Sequence, residues 1–316
     1  MQQRTTITLG VESSDLNQAA DLLRAGGLVS FPTETVYGLG ADACNGRAVA
    51  GIFAAKNRPS FNPLIVHVAD TEAARRYAVL EGDAVRLADA FWPGPLTLVL
   101  PLTLDHGLSE LVTAGLPTVG LRVPAHPVAA ALLRAFDGPV AAPSANPSGR
   151  ISPTQAAHVL AGLDGRIDAV VDGGACPVGV ESTIVGFEDA QPVLLRPGGV
   201  PVEALERVLD TRLIQRAEGS AINAPGQLLS HYAPKARLRL NADAPEPGEL
   251  YLGFGAHTGD LNLSVSGDLG EAAAQLFACL HALDDKGRPI AVAPIPDTGL
   301  GRAINDRLQR AAAPRD

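Results

Sequence analysis

Short apolar runs alternate with segments of helical periodicity along most of this chain, and this alternation restricts the possible folds more than any other feature. Asp15–Ala25 has apolar residues at helical spacing and ends at Gly26-Gly27, and Leu28–Phe31 follows as a short buried strand. Further helices are predicted over Asn45–Lys56, Asp83–Phe91, Pro127–Phe136, Thr154–Gly162 and Val202–Leu209. Further strands are predicted over Leu64–Val68, Leu96–Leu100, Thr118–Val123, Val140–Ala142, Ala169–Val171, Ser182–Phe187 and Val193–Arg196. Interleaved helices and adjacent strand pairs indicate an α/β domain with a mixed, twisted sheet.

The pattern weakens after residue 212 and then resumes in a smaller unit. Residues 213–237 are rich in turn formers and lack clear periodicity, which predicts a linker or lid. In the segment that follows, strands are predicted over Leu250–Gly253 and Ile290–Ala293, and helices over Leu269–Leu283 and Gly301–Ala312. We therefore expect a large domain over 1–212, a linker over 213–237 and a small C-terminal α/β domain over 238–316.

Charge and cysteine content argue against several classes of protein. The formal net charge is −9, whereas a chain that binds nucleic acid stably usually has a basic balance. Cys44, Cys176 and Cys279 are far apart and form no CxxC pair, so neither a disulfide framework nor a cysteine zinc site is expected. The N-terminal sequence MQQRTTITLG has no apolar signal core, and no apolar run is long enough to cross a bilayer. These features predict a cytoplasmic location.

The segment FPTETVYGLGADA, which precedes the helix over Asn45–Lys56, is rich in glycine and hydroxyl side chains. Pro32, Gly38 and Gly40 predict a strand-to-helix turn whose threonine hydroxyls and backbone amides face a ligand. Lys56 and Arg58 then follow at the end of the helix, where the helix dipole stabilises cations. For this pair alone, that structural explanation is the simpler one.

The residues after the two cations favour a ligand-binding explanation. The segment Pro59-Ser-Phe-Asn62-Pro63 keeps the chain at the same sheet edge, where two fixed cations and polar donors suit a polyphosphate. His67 falls within an apolar strand, and a histidine buried in the core is the simpler explanation for that residue alone. The segment as a whole indicates one wall of an anion-binding cleft.

Several clusters further along the chain each allow a structural and a ligand-binding explanation. Arg122 lies in the apolar run TVGLRVP, so its partner is either a structural carboxylate or the carboxylate of a substrate. The loop APSANPSG suits a nucleotide cradle but is also ordinary turn chemistry, and the same holds for GVEST and RPGG. His231-Tyr232 in the linker predicts a lid, with packing against the main domain as the alternative.

Several familiar catalytic motifs do not occur in the sequence. It contains no GxxxxGKS/T loop, no GxGxxG, no HExxH and no GxSxG. Some reactions need only cations and correct positioning of the reactants, such as attack of a carboxylate on an α-phosphate. The residues of this sequence suit such a reaction better than covalent catalysis.

Taken together, these motifs resemble the YrdC family in its long form, which has an extra C-terminal domain. FPTETVYGLGADA, the Lys56-x-Arg58 pair, NPLIVHV, VGLRVP, SAN-SG, EST-IV and LRPGG occur in family order. APGQLLSHYAPKA and PIPDTGLGRAINDRL resemble the long form in particular. The resemblance implies a YrdC-like twisted mixed sheet with a concave cleft, and a small C-terminal α/β domain that is Rossmann-like.

The resemblance also implies an activity. A nucleotidyltransferase of this family condenses L-threonine, bicarbonate and ATP to L-threonylcarbamoyladenylate and pyrophosphate. A separate transferase complex then moves the threonylcarbamoyl group to tRNA. The alternative from another functional class is an RNA-binding or ribosome-assembly protein that uses the concave surface, which the net charge of −9 disfavours.

Matching positions of the family imply two sets of site residues and one metal. Lys56 and Arg58 are the expected catalytic residues, and both hold the triphosphate. ATP is expected to contact Lys56, Arg58, Ser60, Thr118, Ser144, Asn146, Ser152, Arg196 and Tyr232. L-threonine is expected to contact Thr33, His67, Arg122, Ala142 and Ser182. Mg²⁺ is expected to accompany ATP and to be held mainly by its phosphates, so no protein ligand is assigned to it.

Overall fold

The computed structural model describes residues 5–59, 62–215 and 231–314, and these residues form two β-sheets with helices packed against them. The strands of the larger sheet are β1 (Ile7–Leu9), β2 (Val29–Pro32), β3 (Tyr37–Asp42), β4 (Ile65–His67), β5 (Leu96–Pro101), β6 (Thr118–Arg122), β7 (Val140–Ala141), β8 (Ala169–Val171), β9 (Thr183–Glu188), β10 (Gln191–Arg196) and β11 (Ile214–Gln215). Their order is β1-β8-β2-β3-β7-β4-β6-β5-β9-β10-β11, and the pairs are both parallel and antiparallel. The predicted mixed sheet is confirmed.

The helices of this first unit interleave with its strands. They are α1 (Ser13–Arg24), α2 (Gly46–Lys56), α3 (Thr71–Arg75), α4 (Asp83–Phe91), α5 (Glu110–Thr113), α6 (Pro127–Phe136), α7 (Ala156–Leu163) and α8 (Val202–Leu209). The bounds of α4, α6 and α8 are those predicted from periodicity. The short helices α3 and α5 were not predicted, because five and four residues are too few for a periodic pattern to show.

Helices cover one face of the sheet fully and the other face only in part. Val66, Leu98 and Leu121 are aligned across β4, β5 and β6 and belong to the main core under α2, α4 and α8. On the opposite face, α1 and α6 cover β2 and β7 in a second core. The same face of β4, β5, β6 and β9 carries only a small apolar cluster that includes Ile65 and Val99. A cleft therefore lies on this face, beside the edge of α6.

The second unit is a four-stranded parallel sheet with two helices. Its strands are β12 (Leu238–Arg239), β13 (Leu250–Gly253), β14 (Leu261–Asn262) and β15 (Ile290–Val292), and its helices are α9 (Leu269–Asp284) and α10 (Gly301–Ala312). Its core also contains Val36, Ile151, Val180 and Tyr232, so the two units share one apolar seam. The predicted small C-terminal α/β fold is confirmed.

The predicted strand-to-helix turn around Gly38 and Gly40 is wrong. Both glycines lie within β3, which pairs with β2 in an antiparallel hairpin. A Cβ atom at Gly40 would come within 2.8 Å of the Phe31 ring and 2.9 Å of Val140, so close packing requires glycine there. Glycine in a strand marks a close approach as often as a turn, and sequence alone does not separate the two. The hairpin loop, residues 33–36, becomes one wall of the cleft.

Only the two ends of the predicted linker can be placed in the fold. Residues 216–230 lie outside the described residues. Beyond them, the chain joins both units: the amide of His231 donates to the carbonyl of Arg310 at 3.2 Å, and that of Ala233 to the carbonyl of Gly149 at 2.8 Å. Within the described ranges, no helix is long and apolar enough to cross a membrane.

Gly179 provides a test of how tightly the two units are packed. Its φ is +75°, and an added Cβ would lie 2.4 Å from the backbone of Ala273 and Ala274 in α9. Gly179→Ala should lower the free energy of unfolding by about 3 kcal/mol or more, because overpacking adds to the cost of a left-handed backbone. Gly174→Ala is the matched control, since Gly174 has φ +81° with nothing within 4 Å of the added atom. It should cost only about 1 kcal/mol in urea unfolding; equal losses would contradict close contact at the seam.

Candidate functional site

The cleft gathers side chains that are far apart in the sequence. Nine of the predicted site residues line it: Thr33, Arg58, His67, Arg122, Ala142, Ser144, Ser182, Arg196 and Tyr232. Thr35, Glu181 and His231 line it as well, although none of them was assigned to ATP or to threonine. The register explains part of this convergence, since parallel pairing places His67 of β4 beside Arg122 of β6.

Arg122 is held rigidly at the floor of the cleft. It is 4% exposed, and its Nη2 atom lies 2.7 Å from Oε1 of Glu34 in the hairpin loop. Its Nη1 atom donates to Oγ1 of Thr35 at 2.8 Å, and its Nε to the carbonyl of Gly94 at 3.3 Å. The sequence left open whether its partner would be a structural carboxylate or a substrate. A structural carboxylate is present, and Arg122 still lines the cleft.

The hairpin loop is stabilised by its own hydroxyl groups. Oγ1 of Thr33 donates to the carbonyl of Val36 at 2.7 Å and accepts from the amides of Thr35 and Val36 at 3.2 Å. Across the cleft, the hydroxyl of Ser182 lies 2.7 Å from that of Thr97 on β5. These hydrogen bonds fix the directions of the Thr33 and Ser182 hydroxyl groups.

His67 is buried and neutral at the back of the cleft. Its ring packs edge-on against Phe31, with centroids 6.3 Å apart. Burial, with a further contribution from Arg122, lowers its pKa from 6.5 to about 3. Its Nδ1 atom has no hydrogen-bond partner among the described residues. The histidine therefore combines the expected core position with a polar atom available to a ligand.

Lys56 does not line the cleft directly. It is 1% exposed, and its Nζ atom donates to the carbonyls of Ser144 and Asn146, while Ser148 donates its amide to the carbonyl of Lys56 at 2.8 Å. Burial, together with Arg58, lowers the pKa of Lys56 well below its usual value. The side chain thus supports the serine-asparagine loop (residues 144–146) from beneath.

Arg58 faces the cleft because α2 ends in a left-handed residue. Asn57 has φ 51°, which reverses the chain so that the side chains on either side of it diverge. Nη2 of Arg58 donates to the carbonyl of Pro63 at 3.2 Å, while its Nε has no partner in the described part of the chain. Burial lowers the pKa of Arg58 to about 10, so the side chain is a cation at neutral pH.

Unpartnered buried polar atoms cluster around this cleft. Besides Arg58 and His67, Oδ1 of Asn146 and Nδ1 of His231 are buried without a partner among the described residues. A buried polar atom left unbonded is costly, so such a cluster indicates a ligand or water. Asn146 does not line the cleft itself, because its Nδ2 bonds back to the carbonyl of Arg150 at 2.9 Å.

Glu181 and Arg307 were not assigned to the site from the sequence, although Glu181 belongs to the GVEST segment. Glu181 lines the cleft, accepts from the Ser152 hydroxyl with one oxygen and from Nε of Arg307 at 2.7 Å with the other. Although burial alone would raise it, the pKa of Glu181 lies below its usual value because Arg307 and Arg196 stabilise the carboxylate. The available signal for Arg307 was its position on the apolar face of the helix predicted over Gly301–Ala312.

Two further predicted residues, Thr118 and Ser152, lie away from the cleft. Thr118 lies at the opposite end of β6 from Arg122, about 13 Å away along the strand, and lines a separate depression with Pro101 and Phe187. Ser152 lies behind Glu181 and does not reach the cleft wall. Ser60 lies outside the described residues.

The cleft concentrates arginine side chains, and the described residues form no metal centre of protein side chains there. Over 5–59, 62–215 and 231–314, no group of three or more His, Cys, Asp or Glu side chains is placed to hold a metal ion. The carboxylates nearest the cleft, Glu34 and Glu181, are each ion-paired with an arginine. Arg58, Arg122 and Arg196 converge on the same space, which suits phosphate and carboxylate groups.

Family models match both units of the chain. The model Sua5_yciO_yrdC, described as Telomere recombination, matches residues 21–198. The model Sua5_C, described as Threonylcarbamoyl-AMP synthase, C-terminal domain, matches residues 200–313. Together they cover nearly the whole described chain.

Similar proteins match over almost their full length. The threonylcarbamoyl-AMP synthase of Bacillus subtilis is 42% identical, over 98% of this chain and 96% of that protein. The protein of the same name from Pyrococcus abyssi is 40% identical, over 96% of each. The crystal structure of P. abyssi Sua5 complexed with L-threonine superposes with a TM-score of 0.89 at 38% identity, over 97% of this chain and 98% of that one.

The buried histidine of the cleft predicts a pH dependence of stability. The pKa of His67 is 6.5 when unfolded and about 3 when folded, so only the unfolded chain takes up the proton between these values. The free energy of unfolding should therefore fall as pH drops below 6.5, by about 1.4 kcal/mol for this residue between pH 8 and pH 5.5. Urea unfolding at pH 8 and pH 5.5 measures the loss of unfolding free energy for each protein. The loss in His67→Gln should be smaller than that in the parent by about 1.4 kcal/mol. An unchanged pH dependence in the variant would contradict a buried neutral imidazole.

Proposed function

The chain belongs to the Sua5/YrdC family in its long, two-domain form, and from that premise we propose that one cleft holds L-threonine beside ATP. It is a threonylcarbamoyl-AMP synthase, an ATP-using nucleotidyltransferase of tRNA modification. The observation that supports the proposal most is the convergence of Arg58, Arg122 and Arg196 on a single buried pocket. Three guanidinium groups in one pocket suit anionic ligands, and a carboxylate with a triphosphate supplies them.

The threonine end of the proposed cleft lies at the hairpin loop. Arg122 offers the cation for the threonine carboxylate, and its fixed contacts to Glu34 and Thr35 keep the guanidinium in one orientation. His67 supplies an unpartnered ring nitrogen, and Ser182 a hydroxyl that Thr97 positions. In the same proposal, Thr33 and Ala142 complete the wall of this pocket.

The nucleotide end of the proposed cleft lies between the serine-asparagine loop and the seam of the two units. Arg58 and Arg196 take the phosphates, and Ser144 and Tyr232 flank them. Lys56 acts through the loop that it supports, because its ammonium already bonds to two backbone carbonyls. Asn146 and Ser152 have the same supporting position, and contacts of Thr118 and Ser60 with ATP stay predictions.

The proposed reaction needs positioning and charge rather than a covalent enzyme intermediate. The unprotonated amine of threonine adds to CO₂ derived from bicarbonate, which gives N-carboxythreonine. The new carboxylate attacks the α-phosphorus in line, and pyrophosphate leaves as the P–O bond breaks. Arg58 offsets negative charge on the phosphates, while Arg122 keeps the amino acid oriented. The neutral state of His67 avoids a further cation beside the threonine amine.

A magnesium ion would bind chiefly through ATP. The cleft carboxylates are paired with arginines, so the phosphate oxygens and water are the ligands left for the ion. The ion would supply charge neutralisation on the triphosphate when bound.

We also propose bicarbonate as the third substrate, transfer of the product to a separate tRNA threonylcarbamoyl transferase complex, and a cytoplasmic location. The division of the chain at residues 212 and 238 stays a proposal too, supported by the two sheets.

Arg58→Ala tests the nucleotide end. Removal of the cation should reduce pyrophosphate release that depends on threonine and bicarbonate by about 100-fold, because phosphate charge is left uncompensated. Arg47→Ala is the matched control, since Arg47 is an exposed arginine on α2, the helix that ends just before Arg58. Lys56→Ala should also reduce the rate, through loss of support for residues 144–146. Near-normal rates of pyrophosphate release in both Arg58→Ala and Lys56→Ala would contradict the proposed function.

Arg122→Lys tests the threonine end. Lysine keeps a positive charge for Glu34 but loses the fork that binds a carboxylate with two bonds. The KM for threonine should rise by about tenfold or more, while the KM for ATP changes little. Steady-state kinetics with each substrate varied in turn measures both constants. A rise confined to the KM for ATP would contradict the proposed orientation of the cleft.

A further inference from the structure

Arg307 is a fully buried arginine that the second unit contributes to the edge of the cleft. It belongs to α10 and is 0% exposed. Its Nε atom lies 2.7 Å from Oε2 of Glu181 in the first unit, and its Nη1 donates to the carbonyl of Pro197 at 2.9 Å. A guanidinium is not buried without cause, because its desolvation must be offset by several strong contacts. Here most of those contacts reach across the seam.

The contacts of Arg307 lead directly to the nucleotide end of the cleft. Glu181, its ion-pair partner, lines the cleft and accepts from the Ser152 hydroxyl with its other oxygen. The guanidinium carbon also lies 5.2 Å from the ring centroid of Tyr232, which lines the cleft on the same side. Two groups of the wall are therefore positioned by a single side chain that does not line the cleft.

Tyr232 depends on this support because its backbone is strained. Its φ is 61°, a conformation that bulky side chains rarely adopt, and its side chain is 1% exposed. The ring packs against His231 at 4.3 Å and against Phe277 of α9 at 5.7 Å between centroids. The second unit therefore contacts the ring with a cation on one helix and an aromatic side chain on the other.

The threonine end of the cleft contacts the second unit through the apolar side chain of Val36, but its polar groups are held within the first unit. Arg122 is held by Glu34, Thr35 and Gly94, all in the first unit. Ser182 is held by Thr97 on β5 and by Arg196 on β10, both in the first unit. The polar groups of the threonine end are thus positioned without an ion pair from the second unit.

We propose that Arg307 is a positioning residue for the nucleotide end of the cleft, through which the second unit sets the affinity for ATP and not that for threonine. Arg307 orients the Glu181 carboxylate and fixes the Tyr232 ring, so that the wall is already formed before ATP binds. The inference rests on the proposed function, because it concerns which substrate the arginine serves.

Arg307→Met tests this role by removing the charge at nearly the same length. The KM for ATP should rise by about tenfold or more, on the order of one lost charge-assisted hydrogen bond, and the KM for threonine should stay within about threefold. Arg307→Lys restores the charge and should recover part of the affinity for ATP. Glu181→Gln should raise the KM for ATP in the same way, and combining it with Arg307→Met should add little, since both act through one contact.

Arg302→Met is the matched control for simple loosening of the seam. Arg302 lies on the same helix and pairs with Glu203 of α8 at 3.2 Å, but that pair is partly exposed and neither residue lines the cleft. It should leave both KM values near those of the parent. Thermal unfolding of every variant shows whether it is folded. If Arg307→Met is unfolded, Arg307→Lys and Glu181→Gln decide the question by the same two KM values.

Two results would overturn the inference. One is an unchanged KM for ATP in folded Arg307 variants, and the other is an equal rise of both KM values, which indicates general loss of packing. Failure of the proposed function is distinguishable, because the unmodified protein would then release no pyrophosphate in the presence of ATP, threonine and bicarbonate.

Discussion

Burial of charge at the two ends of the cleft is the constraint on which the rest of the structure depends. Arg122 and Arg307 are 4% and 0% exposed, and each lies 2.7 Å from a carboxylate oxygen. Burial of a guanidinium is costly unless an anion lies beside it, and Glu34 and Glu181 are the anions in these two places. The first requirement places the loop of the β2–β3 hairpin against β6. The second places α10 against the segment before β9 and so joins the two units.

Much of the fold was predictable because its elements are regular and strongly patterned. The bounds of α4, α6, α8 and α10 agree with those expected from periodicity, since each helix has an apolar face of at least two turns. The prediction of a strand-to-helix turn at Gly38 and Gly40, which lie in β3, failed for a physical reason. Gly38 and Gly40 were interpreted as turn residues, whereas they allow the hairpin to pack beside Phe31 and Val140. Whether a glycine serves a turn or a close contact depends on neighbours that are distant in sequence.

The sequence predicted most of the residues that line the cleft, but it did not predict the directions of their side chains. Motif resemblance identified nine residues that line the cleft, including Arg58 and Arg196. It could not tell that Lys56 would point beneath the serine-asparagine loop, because a single left-handed residue after α2 separates its direction from that of Arg58. Glu181 and Arg307 were not assigned to the site for a related reason. They are 126 positions apart, and nothing in the sequence shows that the two charges lie together in the folded chain.

The second unit has no glycine-rich phosphate loop, and the contacts at the seam explain why it does not need one. Its parallel sheet and helices complete a core that already contains Val36, Val180 and Tyr232 of the first unit and the linker. It also brings the buried guanidinium of Arg307 to the Glu181 carboxylate on the cleft wall. In the proposed function, the nucleotide end of the cleft is complete only with the second unit in place. A mixed sheet with one partly covered face would otherwise leave the proposed nucleotide end open to water, and phosphate contacts in open water are weak. The division of the fold into two units is therefore part of how the cleft is made.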